Sequence, residues 1–505
     1  MLPPTPRGTL AADVVAGLSV GLVLVPQAMA YADLAGMPPV NGLYAAATAP
    51  LLAAPFVSSR YLQTGPVALT ALLTFGALST LAAPNSAEYI AMAALLALLV
   101  GAVRLGIGVA RLGAVAWLMS QPVLRGFTLA AALLIGASQI PAAVGVSTSS
   151  DTVLGRMLEA FGAIGQWNWG AVTLAGVTIA LMRYGKRIHP LFPGVLVAAA
   201  LGLGVSVAGL PVGPSVGDIP GQLPPFSLDL PWGSAGALVV PALVIALVGF
   251  AEPAAIARTY ASEDREQWNP NREFVSQGVA NLAAGLFAGF PMGGSFSRSG
   301  LSKVAGARSW RAGAFTGAFV LLVLPFANLL APLPRAVLGA TVLGAVISLL
   351  DPTPVLEMWR RSKPQAALAA VTFGSTLLAA PRVERGVLVG VAVSIALHLW
   401  REMQMDVPDT VEGTTLTLRP LGVLWFGTAA RLEQEWNEAL AEHPDIDTLV
   451  IELGALGRID FSGAEVLATL VQEARAEGMT VRVNGCPPQS VRILARFELV
   501  EKRDE

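Results

Sequence analysis

Cysteine and histidine are nearly missing from this chain. Its 505 residues hold one cysteine, Cys486, so no internal disulfide framework is possible. Three histidines, His189, His398 and His443, stand too far apart to offer metal-ligand spacing. Charge is scarce as well, at 13% of residues, and the formal net charge is −2 with no dense basic tract, which argues against a nucleic-acid partner. No nucleophile–base pair or phosphate-cradling loop is evident, and the stretch RPLGVLWFG has the spacing of neither. The chain therefore reads as a non-enzyme, with no cofactor and no metal expected.

What fills the space is apolar. Hydrophobic residues make up 54% of the chain and the mean hydropathy is +0.63, far from the usage of a water-soluble domain. The charge is also unevenly spread. Residues 1–400 hold 22 of the 32 Lys and Arg and 15 of the 34 Asp and Glu, whereas the 105 residues 401–505 hold the other 10 and 19. That division predicts a membrane domain over 1–400 and a small, soluble, acidic domain over 401–505. The apolar run after Arg7 does not end in a polar, small-residue cleavage site, so the first segment is expected to be retained.

About fourteen apolar segments have the length, roughly 17–25 residues or slightly less, that crosses a bilayer. Two are short: the third, at 66–82 after YLQTGP, and the tenth, at 296–306 within GFPMGGSFSRSGLSK. The loops after even-numbered segments carry 15 Lys or Arg, from Arg60 and Arg104 through Arg360, Arg361 and Lys363. The odd-numbered loops carry 4: Arg156, Arg335, Arg382 and Arg385. Basic loops stay in the cytoplasm, which predicts an even number of spans with both termini cytoplasmic. The Pro-rich loop at 209–232, free of Lys and Arg, then faces outward.

Fourteen segments divide into two sevens, and an odd number per half inverts the second half relative to the first. The short segments are third in each half, and matched broken segments in inverted halves mark a transporter's midplane site. In TGPVALTALL (64–73), Pro66 stands where a helix would start. In GGSFSRSGL (293–301), Ser295 or Ser297 can cap a second short helix. Two half-helices related by inversion would point their positive N-termini at one gap, which is an anion site. Arg298 adds a full charge there. Close packing is the competing explanation of such glycines, and it suffices for GLSVG (17–21). For the second motif, an arginine at bilayer depth argues for function. Glu252, in LVGFAEPAAIARTYA, is the other ionisable group within an apolar segment; it is either a structural carboxylate or a proton- or cation-coupling site.

These residues also carry a resemblance. VPQAMAYADLAGMPPVNGLY (25–44) resembles the signature of the SulP family of anion transporters, the group of sulfate permeases, pendrin and prestin. TGPVAL, GFAEPAAIARTYA, NREFVSQGVANLAAGLFAGFPMGGSFSRSG and AGARSWRAG follow in the family's order. The resemblance implies a polytopic α-helical membrane protein with a seven-plus-seven inverted repeat. Segments 1–4 and 8–11 would form a core bundle and segments 5–7 and 12–14 a gate bundle, in a homodimer of a bacterial inner membrane. Carried onto this chain, the substrate site comprises Gln27 and Tyr31, Gly65, Pro66 and Val67, and Ser297, Arg298 and Ser299, and the coupling carboxylate is Glu252. Ala28, Pro253 and Ser302 depart from the family's usual Gly, Ser and Asn, which leaves the substrate open. Relatives resembling sodium–bicarbonate symporters have Asp at the position of Glu252, which turns the expectation towards protons. A proton-coupled symporter of a small dicarboxylate such as fumarate leads; a bicarbonate or sulfate transporter or exchanger is the alternative. A channel or voltage-driven motor ranks lower, because the polar groups concentrate at one place and do not line a path.

In the tail, TTLTLRPLGVLWF (414–426), TLVIELGAL (448–456) and TVRVNG (480–485) read as strands alternating with helices, a βαβαβα order. IDFSG (459–463) resembles the STAS domain that closes most SulP proteins. The matching serine of anti-sigma antagonists is phosphorylated, which would single out Ser462. The spacing of Ser462 and Glu465 as a capping box explains that serine equally well.

Overall fold

The computed structural model of the chain describes residues 9–117, 120–150 and 152–500. Arg7 and positions 118–119 of the fifth expected segment lie outside the described residues. Two compact units divide between Val391 and Ala392, a boundary inside the last long helix.

A helix stands at each of the fourteen expected positions of the first unit, with two more between them. The first half comprises α1 (Leu10–Leu34), α2 (Pro39–Ala53), α3 (Ala68–Leu78), α4 (Ala87–Val109), α5 (Gln121–Val144), α6 (Val153–Gly162), α7 (Trp169–Ile188) and α8 (Gly194–Val207). The second comprises α9 (Ala235–Glu263), α10 (Pro270–Leu286), α11 (Phe296–Val304), α12 (Arg311–Val323), α13 (Arg335–Val346), α14 (Thr353–Arg361), α15 (Lys363–Ala379) and α16 (Val383–Glu402). Among the described residues six of these are long and apolar enough to cross a membrane: α1, α4, α5, α9, α12 with its 3-10 extension, and α16. The added helices α6 and α14 are the amphipathic ones.

Packing repeats between the halves. α4 lies along α10 as α2 lies along α12, α1 meets α12 as α9 meets α4, and α13 meets α7 as α15 meets α5. Each pair maps onto its mate by a shift of seven segments, the relation an inverted repeat requires. Glycines set the close approaches. A Cβ on Gly101 of α4 would meet the Leu282 backbone nitrogen at 2.6 Å, and one on Gly278 of α10 would meet that of Leu105 at 2.6 Å, so neither helix tolerates a side chain there. Gly17 and Gly21 seat α1 on Phe315 and Phe319 of α12, as the packing reading of GLSVG requires. One buried apolar core, including Leu24, Met29, Leu95, Phe127, Ile135, Ile245 and Phe290, runs through the unit.

At its centre the two interrupted segments meet as strands. β1 (Thr64–Gly65) and β2 (Gly293–Gly294) pair antiparallel, with Thr64 opposite Gly294 and Gly65 opposite Gly293. Backbone that cannot continue as helix thus satisfies its own polar groups deep in apolar surroundings.

The second unit is α/β. β3 (Asp409–Glu412), β4 (Thr415–Leu418), β6 (Thr448–Glu452) and β8 (Thr480–Asn484) form one sheet in that order; β5 (Gly422–Leu424) and β7 (Leu456–Ile459) form a parallel pair. α17 (Phe426–Glu442), α18 (Phe461–Ala476) and the short α19 (Val491–Leu494) alternate with the strands, and the core forms around Trp436, Leu449, Ile451, Leu467 and Val471. The single strand expected over 414–426 is two, broken at Arg419–Pro420, where proline cannot donate to a ladder. β3 and β7 were not anticipated. Ser462 also differs from expectation. Asp460 caps α18, its Oδ1 accepting the Gly463 N–H at 2.8 Å, and Ser462 lies one residue inside the helix, so no Ser462–Glu465 capping box forms.

Candidate functional site

The two half-helices begin differently. Ser295 caps α11, its hydroxyl accepting the Arg298 N–H at 3.5 Å, which selects Ser295 over Ser297. α3 starts at Ala68, not Pro66, and its N-cap, Val67, has an extended backbone and no side-chain oxygen to offer. The first N–H groups of α3 are therefore uncapped, and Val67, Ala68 and Leu69 face a cavity. Open N–H groups at a helix start carry partial positive charge and suit an anion.

Arg298 sits behind that point. It is fully buried, and its guanidinium donates to the Pro66 carbonyl at 2.9 Å and to Gln27 Oε1 at 3.3 Å, while its Nε has no partner among the described residues. A Cβ on Gly65 would lie 3.5 Å from the same guanidinium. Ser299 also points away from the cavity: its hydroxyl accepts the Gln63 N–H at 2.9 Å. Gln63 continues the scaffold, its backbone carbonyl taking the Ser295 N–H and its side chain bridging Ser302 and Thr316. Of the expected site residues, Gln27, Tyr31, Val67, Ser297 and Glu252 line the cavity, whereas Gly65, Pro66, Arg298 and Ser299 form its backing.

The cavity measures about 970 Å³, a size that holds a small solute with its water. Its mouth includes Gln121, Arg125, Pro190, Asp351 and Pro354, at the end of the bundle where the basic loops lie. At the other end the helices pack closely: Tyr89 donates to the Ala35 carbonyl at 2.6 Å, and Gly76 of α3 sits so near Pro381 that a Cβ would lie 2.2 Å from its carbonyl oxygen. Glu252 lies on the wall beside the start of α11, within electrostatic reach of Arg298. Pro253, next in α9, leaves the Gly249 carbonyl without its helical donor, and Gly293 and Gly294 pack on this weakened turn.

Four buried charged residues, Arg104, Glu273, Asp13 and Glu384, escaped the sequence reading. Arg104, counted there as a loop cation, is inside α4 and fully buried. It donates to the carbonyls of Ile245 at 3.0 Å, Ala246 at 3.1 Å and Met292 at 2.8 Å, and forms no ion pair among the described residues. Glu273, at the start of α10, accepts the Ser58 and Ser59 N–H groups. Asp13 of α1 accepts those of Arg308 and Ser309. Each lies within a few residues of a helix end, where a sequence count reads it as solvated.

A bundle built on paired half-helix starts, with a cavity reaching them from one end, has counterparts. Residues 10–372 match the model of the sulfate permease family, and residues 403–503 match that of the STAS domain. The chain belongs to the sulfate permease family. This permease is 31% identical to the chloroplastic sulfate transporter 4.1 of Arabidopsis thaliana over 97% of its own length and 77% of that protein. It is 36% identical to a probable sulfate transporter of Mycobacterium tuberculosis (strain ATCC 25618 / H37Rv) over 79% of its length and 71% of that protein. Among solved structures, murine solute carrier 26 member A9 in its inward-facing state superposes with a TM-score of 0.87 at 21% identity, covering 98% of this chain and 88% of that one. The transmembrane domain of a cyanobacterial bicarbonate transporter, BicA, gives 0.65 at 21% identity, covering 78% and 100%. The permease is thus a multi-pass membrane anion transporter with a STAS domain, and not an enzyme.

Proposed function

We propose that this permease is a secondary active carrier that takes one small anion at a time, sulfate first among them, by alternating access. The observation that carries the reading is the uncapped start of α3 on the cavity wall, backed by the buried Arg298 guanidinium. A single concentrated site suits a carrier better than a channel, which needs a row of weak sites. α1–α4 with α9–α12 act as the mobile core and the remaining helices of the first unit as the gate. The basic loops face the cytoplasm of a bacterial inner membrane, with both termini on that side, so the cavity is open inward. The protein works as a homodimer.

Sulfate leads over a dicarboxylate such as fumarate because relatives 31% identical over 97% of the chain are named for sulfate. Proton coupling is the second element, favoured by one observation: Glu252 lines the cavity beside the start of α11 and within electrostatic reach of Arg298. The test is uptake of labelled sulfate, fumarate and bicarbonate into proteoliposomes at several pH values. Saturable sulfate uptake that accelerates with an inward proton gradient and carries no channel-like current is expected. Fumarate uptake without sulfate uptake would restore the dicarboxylate reading, and conductive flux would remove the carrier.

A further inference from the structure

α14 is used by none of this, and it runs from the cavity mouth to an exposed apolar and basic end. Pro354 and Val355 line the cavity mouth, and the Arg125 guanidinium donates to the Pro354 carbonyl at 3.3 Å. Next to them around the helix, Leu356 and Trp359, three positions apart and so neighbours, are 62% and 58% exposed, with Trp359 one turn from Val355 at the edge of the mouth. Ile347 and Leu350, just upstream, are exposed apolar residues as well, while Leu349 between them lines the cavity. Arg360, Arg361 and Lys363 follow at once, all exposed. Arg361 has only a surface pair with Glu357 at 3.4 Å, too solvated to neutralise it.

An apolar pair that includes a tryptophan, edged by cations on a short helix, is the composition that seats in the headgroup layer of an anionic membrane. We propose that α14 is an interfacial helix that binds anionic lipids of the leaflet at the cavity mouth. Leu356 and Trp359 enter the acyl boundary, and Arg360, Arg361 and Lys363 meet lipid phosphates. Because the same helix supplies Pro354 and Val355 to the mouth, its seating draws that wall towards the lipid, and lipid charge tunes inward opening. The seating rests on the functional reading only for the assignment of this end to the cytoplasm, and the coupling to the mouth rests on its alternating access as well.

The test uses the full chain in vesicles of neutral phosphatidylcholine, or with about a third of the lipid replaced by phosphatidylglycerol. Seating is read without transport, from tryptophan quenching by brominated phosphatidylglycerol, as the difference between wild type and Trp359→Phe. That difference is expected to be clear, and to vanish when Arg360, Arg361 and Lys363 are all changed to Gln in both backgrounds. No difference, or one that survives the triple change, overturns lipid binding, the latter pointing to burial against a second protein surface. In the same vesicles anionic lipid should raise initial sulfate uptake about threefold or more in wild type and leave the triple variant unchanged. Quenching as expected with uptake indifferent to lipid charge would overturn the coupling to the mouth and leave the seating standing. An absence of sulfate uptake in every vesicle, with quenching intact, would count against the transport reading alone.

Discussion

The Arg298 guanidinium donates to the Pro66 carbonyl at 2.9 Å, so a residue of α11 is bonded to the loop two positions before α3 begins. Together with the β1–β2 pair, this bond fixes the two half-helix starts relative to each other. The site should therefore move as one rigid piece, and the arginine's charge should be felt through the backbone it holds as well as through space.

Arg298→Ala should weaken sulfate affinity about ten- to a hundredfold, the equivalent of roughly 1.5–3 kcal/mol for a charge-assisted contact. Arg298→Lys keeps the charge but cannot make both bonds in one geometry, so an intermediate loss is expected. The concentration dependence of uptake, with size-exclusion profiles to confirm folding, checks both. Wild-type affinity in Arg298→Ala would remove Arg298 from the site.

Arg104 should matter to stability. Arg104→Gln leaves the Met292 carbonyl short of its best donor and opens space beside Gly249, so unfolding in detergent should become about 2 kcal/mol easier. Gly249→Ala attacks the same contact from the other side, because a Cβ there would lie 2.7 Å from Arg104 Nη2. The two changes together should cost less than their sum, since they share one interaction. Strict additivity in thermal melts would show that the contact is not shared.

At the basic end, the Tyr61 hydroxyl, Lys303 and Arg60 bond Asp264 and hold its carboxyl at about 2, below the ordinary value near 4. The folded value is depressed, so the stabilisation is fully present above pH of about 4 and is lost as pH falls through about 2. Asp264→Asn should lower the melting temperature at neutral pH, and the gap from wild type should narrow only in strong acid. A gap that already closes near pH 6 would contradict this.

The positions of the half-helices were legible because Gly, Pro and hydroxyl residues interrupt long apolar runs, and that interruption is local in sequence. What the side chains do there was not. Pro66 reads as a helix start, yet it lies outside α3 because its carbonyl is committed to Arg298, 232 positions away. Arg104 looks like a loop cation because hydropathy windows blur helix ends, and only the fold brings Ile245, Ala246 and Met292 around it. Ser299 matches the family's site motif, but the direction of its hydroxyl depends on β1 being paired with β2. α14 is too short and too charged to register as a span, although its composition is its function in the reading above.

The closely packed end of the bundle offers a conformational test. Gly76 touches the Pro381 carbonyl, the position of its missing Cβ is 3.6 Å from Glu384 Oε2, and Arg382 donates to Thr80 Oγ1 at 2.7 Å. If this contact seals the outside, Glu384→Cys in a Cys486→Ser background should react slowly with an impermeant maleimide. Adding Gly76→Val, or Arg382→Ala where bulk is a concern, should speed labelling about tenfold, the effect of ~1.4 kcal/mol on the open–closed balance. Equal rates in all three would mean the seal lies elsewhere.

The last prediction concerns coupling. Moving an anion into a cell with a negative interior is unfavourable by about 2.3 kcal/mol per charge per 100 mV. Cotransported protons offset that, provided one group can carry a proton on the moving bundle. Glu252 is on α9, on the cavity wall and beside the start of α11. If Glu252 is the coupling group, its charged form is an anion near a helix start that the substrate would also use, and that charge would have to cross the gate. Protonation removes both obstacles, so substrate and proton favour the same movement. Glu252→Gln imitates the protonated form permanently. The bundle should still move and exchange labelled for unlabelled substrate, while accumulation driven by a pH gradient fails. Counterflow and gradient-driven uptake measured in the same proteoliposomes separate the two. Retained accumulation in response to an imposed pH gradient would show that Glu252 is a structural carboxylate and that the proton, if one moves, travels on another group.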